Sequence, residues 1–340
     1  MKVKMSLPRT KMLDEAKNSK SYFVIFEILI FAAVFIVGAI LEGLVVGVPE
    51  IEYLFNNAEY QQVLSDYAAG SITVDQLSEK ITAIASNLPE TLMILSLAAT
   101  VCGTVTAMIY CRAFEKRKLS TMGFRKRNAL SEYLAGALVG TVIFSLAVGI
   151  CLVTGALKFD GINPDISWGF IGLYFLGFLI QGMSEEVILR GYFMVSLQRR
   201  IPVSAAIAVS SVMFACLHLS NPGISVLAFI NLVLFGVFAG VYMLKRGNIW
   251  GVCAIHSLWN FVQGNFYGIN VSGMSEMTSI FKMTSVESKT ILNGGEFGLE
   301  GGLGVTVVCV LGILVMLCTK TKESEIAEEK PVYEEAAVND

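Results

Sequence analysis

Charge is scarce in this chain. Only 16% of its 340 residues are Asp, Glu, Lys or Arg, against about 25% in a soluble globular domain. The net charge of −3 comes with no basic stripe, which excludes the electrostatic footprint of a nucleic-acid binder. The seven cysteines (102, 111, 151, 216, 253, 309 and 318) include no CxxC pair and lie in or beside apolar runs. They are expected as free, buried thiols, not as a disulfide framework or a zinc cluster. No HExxH is present, and the glycine-rich "NGGEFGLEGGLG" lacks the GK[ST] ending of a phosphate cradle, so it is expected as a flexible connector. No internal repeat is apparent. The N-terminus does not read as a cleavable signal: its polar stretch and the apolar run behind it are both too long, and no A-x-A-like site follows.

Apolar residues fill the space the charges leave. They make up 54% of the chain, and its mean hydropathy is +0.65. A bilayer-spanning helix needs about 20 apolar residues. Eight segments are candidates, at about 22–48, 91–111, 132–156, 167–190, 202–219, 223–244, 248–268 and 303–318. The expected fold class is all-α: a polytopic membrane protein with about eight transmembrane helices and a catalytic cavity inside the helical bundle. Loop charge alternates along the chain. Lys2, Lys4, Arg9, Lys11, Lys17 and Lys20 precede the first span, and the loop 49–90 is acidic. "CRAFEKRKLS" and "FRKRN", Arg199 with Arg200, Lys245 with Arg246, and Lys320 with Lys322 mark every second loop thereafter. By the positive-inside rule this places both termini in the cytoplasm.

The expected organisation is a basic arm (1–21), three N-terminal spans (22–156) interrupted by the acidic outer loop (49–90), and a core of four helices (157–268). A connecting loop (269–302), a last span (303–318) and an acidic tail (319–340) follow. The outer loop has helical spacing around "YQQVLSDYAAGSITVDQLSEKITAIASNL" and is expected to form short surface helices.

Three motifs place polar groups inside apolar helices: "EEVILR" (185–190), "FACLH" (214–218) and "HSLWN" (256–260). Both histidines of the chain lie in them. A charge at the bilayer centre costs about 2.5–3.5 kcal/mol on insertion scales, so such residues demand partners or a function. Glu186 and Arg190 are i,i+4, in the favoured acid-first order, and are expected as an internal ion pair. Glu185 lies about 100° around the helix, without a local partner. Such a carboxylate suits a general base for water near neutral pH. His256 and Asn260, also i,i+4, are suitable donors to a developing oxyanion. His218 is placed to hold or polarise the same water. At about 1.5 Å rise per residue the motifs lie about 15–27 Å from the nearest basic cluster, so tilted or bent helices must bring them together. Gly182 and Gly191 flank the glutamates and are expected to permit a bend. Taken singly these residues have plainer roles. Phe214 is core packing, Asn231 and Asn260 are interhelical hydrogen-bonders, and Glu27 and Glu42 snorkel from the first helix to water.

The ordered set EExxxR, FxxxH and HxxxN, with "EEVILRGY", "FACLH", "NLVLFGVFAGVYMLKRG" and "GNIWGVCAIHSLWNF", lies within about 75 residues. It resembles the CPBP family (CAAX proteases and bacteriocin-processing enzymes, also called Abi), in particular type II CAAX prenyl endopeptidases. The resemblance covers about residues 167–265. It implies an intramembrane endopeptidase in which Glu185 activates water with help from His218, while His256 and Asn260 stabilise the oxyanion. Glu186, Arg190 and Phe214 support the site. It implies a membrane-associated peptide or protein substrate. The short tail points to a prokaryotic membrane as the setting, and the charge balance to no nucleic acid. A mechanism without a metal is preferred. Zinc on Glu185, His218 and His256 stays open, because a catalytic zinc needs three protein ligands and an open position. Two further alternatives remain: a proton-coupled transporter using Glu185, disfavoured by the missing repeat, and a silent immunity or scaffold protein of the same fold.

Overall fold

The structure is a computed structural model and describes residues 7, 10–86, 88–274 and 277–321. Most of the basic arm before Thr10 and the acidic tail from residue 322 lie outside the described residues. After a short helix α1 (Lys11–Lys17), each of the eight apolar segments is helical. They form α2 (Val24–Asn56), the pair α5 (Glu90–Ala99) and α6 (Val101–Ala113), α7 (Ala129–Val153) and α8 (Trp168–Leu197), with α3 and α4 between α2 and α5. The chain continues with α9 (Val203–Cys216), α10 (Val226–Arg246), α11 (Trp250–Phe261) and α12 (Leu303–Cys318). Among the described residues five helices are long and apolar enough to cross a membrane: α2, α5–α6, α7, α8 and α10. α9 and α12 are shorter apolar helices. Many apolar side chains of α2, among them Phe26, Leu29, Ile40 and Leu44, are more than half exposed. A band of that size is tolerated against lipid, not against water. The protein is therefore an integral membrane protein, mostly helical, with little sheet.

Several boundaries differ from expectation. α2 does not stop at residue 48 but runs through Pro49 to Asn56. The acidic segment then folds back as α3 (Ala58–Ala68) and α4 (Val74–Ser86), the short helices its spacing predicts. α3 is opened by the Asn57 side chain accepting from the Tyr60 N–H, a standard N-cap. The second span is broken between Ala99 and Val101, and the Thr100 carbonyl accepts a 2.6 Å hydrogen bond from the Ser184 hydroxyl of α8. The glycine-rich segment is not a free connector. It carries β2 (Phe281–Ser285), which pairs antiparallel with β1 (Leu157–Ile162) across a bulge between Phe159 and Gly161. Its buried Leu299 and Glu300 join the helical body.

One end of the bundle gathers the basic loops. Arg199 pairs with Glu27 at 3.1 Å and with Glu115, so Glu27 is buried in an ion pair and does not snorkel to water. Glu115 also holds Arg117 at 2.9 Å. Arg246 clasps Glu132 through two hydrogen bonds of 2.7 and 2.9 Å. Lys245 donates to the carbonyls of Leu317 and Thr319. α1 docks there through buried Met12, Leu13 and Ala16. The cysteines are all free, but Cys216 and Cys318 are exposed, not buried.

Close helix crossings set the centre. α11 packs against both α7 and α8. A Cβ on Gly136 would lie 2.1 Å from the Gly251 carbonyl, and one on Gly140 would lie 2.4 Å from that of Ile255, so α7 and α11 touch backbone to backbone. Gly182 does the same for α8, where a Cβ would meet the Ser257 N at 2.5 Å. Gly182 and Gly191 are thus contact points, not hinges. The local change in α8 begins five residues after Gly182 and includes Gly191: Val187–Met194 winds as a π-helix. Such wide turns are frequent at functional sites.

Candidate functional site

α8 delivers two adjacent carboxylates with different surroundings. Glu186 is fully buried and lies 3.1 Å from the Arg190 guanidinium, itself fully buried. The pair spans the junction where α-winding gives way to the π-turn. Arg190 also lies over the Phe214 ring, 4.7 Å from its centroid, a cation–π contact inside low dielectric. The side chain of Glu185 is 26% exposed and faces the cavity, whereas that of Glu186 has no exposure.

His256 of α11 joins both acids. Its Nδ1 donates to Glu186 Oε1 at 2.8 Å, and its Nε2 is 3.7 Å from Glu185 Oε2. Glu186 therefore serves Arg190 and His256 together, a cross-helix link that helical spacing does not reveal. His256 is wedged edge-on between Phe235 and Phe214, with centroids 5.0 and 5.9 Å away. Phe214 is thus more than core filling: it touches Arg190, His218 and His256 at once.

His218, at the end of α9, uses Nδ1 to donate to the Phe214 carbonyl at 2.8 Å. A carbonyl only accepts, so Nδ1 carries a proton; in the neutral ring Nε2 is then the nitrogen with the lone pair. Asn260 Nδ2 donates at 2.9 Å to Gln181 Oε1, while Gln181 Nε2 donates to Glu185 Oε1. Glu185 thus has a local partner after all. Gln181, one turn before it, is the site residue that sequence inspection passed over.

These groups line one cavity of about 410 Å³. Glu185, His218, His256 and Asn260 all border it, together with Gln181 and Phe214. Glu42 of α2 also lines the cavity, so it belongs to the wall of the site as well as to its own helix. Asn231 acts as the expected interhelical hydrogen-bonder. It donates to the carbonyls of Glu300 and Gly302 and accepts from Thr306 of α12. Among the described residues no three His, Cys, Asp or Glu side chains are close enough to hold a metal ion. The set Glu185, His218 and His256 is not gathered as a ligand triad, and no step is routed through a metal.

A polytopic helical membrane protein with Glu185, His218, His256, Gln181 and Asn260 around an internal cavity defines a class: a membrane protein with a built polar site. Residues 167–262, which contain all of α8, α9, α10 and α11, match the family model described as type II CAAX prenyl endopeptidase Rce1-like. That family is a family of membrane proteases. Compared with curated proteins and with solved structures, the chain matches none.

Proposed function

We propose that this protein is an intramembrane endopeptidase of the CAAX-protease type, hydrolysing a peptide bond of a membrane-associated peptide or protein. The observation that carries the proposal is the convergence of Glu185, His218, His256 and Asn260, from three helices, on one cavity. In the reaction the Glu185 carboxylate takes a proton from a water held by Nε2 of a neutral His218. The resulting hydroxide attacks the scissile carbonyl, and the tetrahedral oxyanion accepts hydrogen bonds from His256 Nε2 and Asn260 Nδ2. Glu185 then returns its proton to the departing amine as the C–N bond breaks, and the new carboxylic acid passes its own proton to that amine, leaving a carboxylate and an ammonium group.

His256 can donate from Nε2 only as the imidazolium, since Nδ1 already gives its proton to Glu186. Charge balance supports that state: Glu185 and Glu186 against Arg190 and an imidazolium sum to zero in a buried cluster. Asn260 uses one amide hydrogen on Gln181 and keeps the second for the oxyanion.

The same proposal includes eight membrane crossings, with α9, α11 and α12 completing the five longer ones, and both termini on the cytoplasmic side. The clustering of Arg199, Arg246, Lys245 and the 115–127 segment at one end supports that orientation. A prokaryotic membrane is the proposed setting. No metal is invoked.

The test is cleavage by purified protein in detergent or nanodiscs. The substrates are a prenylated CAAX peptide and a panel of internally quenched membrane peptides, with product masses measured. Wild type is expected to cleave, and Glu185→Gln to lose about 10²–10⁴-fold, the range for removing a general base. Wild-type turnover retained by Glu185→Gln refutes the assignment. Glu185-dependent flux in liposomes without cleavage would identify a transporter instead.

A further inference from the structure

We propose that Gln181 is a positioning residue that sets the orientation of both the base and the oxyanion donor, a proposal that rests on the hydrolytic mechanism above. Gln181 lies in α8, is 9% exposed and lines the cavity. Its amide spans two groups from two helices: Nε2 donates to Glu185 Oε1, and Oε1 accepts from Asn260 Nδ2 at 2.9 Å. The network allows one assignment only. A carboxylate must face the N–H end of the glutamine, so the carbonyl end faces Asn260, and Asn260 must present its own nitrogen.

Two consequences follow for the chemistry. With Oε1 of Glu185 tied to the amide, the plane of the carboxylate is fixed, and Oε2 is buried on the side of His256 Nε2 at 3.7 Å, without a hydrogen-bond partner among the described residues. Asn260 is also locked in the flip that directs nitrogen, not oxygen, toward Gln181 and the cavity. Its Oδ1 is left buried without a partner among the described residues. Without Gln181 that cost disappears, because Asn260 is free to turn over and offer a carbonyl to the developing oxyanion. A carbonyl there repels the charge that the amide should stabilise. The other titratable groups lining this cavity or flanking Glu185 are Glu42 of α2, Tyr174, Glu186 and Arg190 of α8, His218 of α9, His256 of α11, and Glu300. None of them offers the same bridge to Asn260.

The test uses two variants of the full-length protein. Gln181→Met keeps length and volume but removes both hydrogen bonds, and kcat should fall roughly 10–100-fold, the scale of a misplacement near 1 Å, with KM within about twofold. Gln181→Glu reproduces both bonds when its carboxyl is protonated, its O–H donating to Glu185 and its C=O accepting from Asn260. It puts two carboxylates against each other when it is not. Its kcat should therefore climb toward wild type as pH falls and drop at alkaline pH where wild type still works, while Gln181→Met stays low throughout. A merely structural glutamine would lower thermal stability without producing that pH profile.

A second readout needs no turnover. Modification of Glu185 by dicyclohexylcarbodiimide, followed by mass spectrometry, should run several-fold faster in Gln181→Met than in wild type, because the N–H no longer covers Oε1. Faster modification alongside a wild type that cleaves nothing keeps the bridge and sinks the protease assignment. Unchanged kcat in Gln181→Met, or equal modification rates, overturns the bridge.

Discussion

Replacing Arg190 by alanine removes the only guanidinium placed on Glu186 among the described residues. Breaking a fully buried pair costs about 3–5 kcal/mol, because the surviving charge is left without compensation. The lower end applies here, since Glu186 keeps its 2.8 Å hydrogen bond from His256. Loss of the cation–π contact with Phe214 adds about 1 kcal/mol. At about 2 °C per kcal/mol, the lower edge of the range because this chain is longer than those that define it, a loss of about 4 kcal/mol lowers the melting temperature by about 8 °C. The assay is fluorescence-detected size exclusion after a temperature ramp in detergent. A control separates stability from chemistry. Glu186→Gln with Arg190→Met replaces the pair by neutral groups of similar volume, an exchange that is often nearly neutral. Melting should then recover to within about 3 °C of wild type, while cleavage stays lost because His256 Nδ1 no longer donates to a carboxylate. A melting temperature for Arg190→Ala within about 1 °C of wild type, or a double variant that still cleaves, refutes this account of the pair.

Further outcomes concern the frame around the site. Gly136→Ala forces a methyl group against the Gly251 carbonyl, where a Cβ would be 2.1 Å away. The α7–α11 crossing must open, at a cost of at least about 1–3 kcal/mol, read as a lower melting temperature and reduced yield of monodisperse protein. Asn231→Leu orphans the carbonyl of Glu300, while that of Gly302 keeps the N–H groups of Val305 and Thr306; at about 1–3 kcal/mol for one unsatisfied group, the melting temperature should fall by a few degrees. A membrane-permeant maleimide should label Cys216 and Cys318 in the folded protein. Cys111, Cys151, Cys253 and Cys309 should react only after denaturation. An unlabelled Cys216 would contradict the exposed end of α9.

What was legible in the sequence divides along a physical line. The length of an apolar run is a one-dimensional property, and all eight runs are helical at their expected places. Pairs within one helix follow from 100° per residue, so Glu186 and Arg190 were readable from spacing alone. Elements closed by distant partners were not. β1 and β2 are five to six residues long, are interrupted by a bulge, and pair across more than a hundred residues of chain. The break at Thr100 has no glycine or proline to announce it; its carbonyl is satisfied by a serine from another helix. Gly182 and Gly191 carry the same sequence signal whether they bend a helix or let another backbone approach, and only the neighbour decides.

The site shows the same division at higher stakes. Gln181 and Glu185 have the same i,i+4 relation as Glu186 and Arg190, so the spacing that revealed one pair was equally present for the other. The difference lies in how loudly each residue speaks in an apolar helix. A charge in hydrocarbon costs several times what an amide does, so Glu185 demanded an explanation and Gln181 did not. Yet the amide joins what the charges cannot: an acid and an asparagine that would not otherwise be held to each other. Glu42 is the converse case. Its charge was noticed, but a position well along the first helix did not disclose that α2 walls the same cavity as α8. In a helical membrane protein the residues that start the chemistry announce themselves by their cost. Those that aim it are found by asking which neutral hydrogen-bonder lies one turn from each of them.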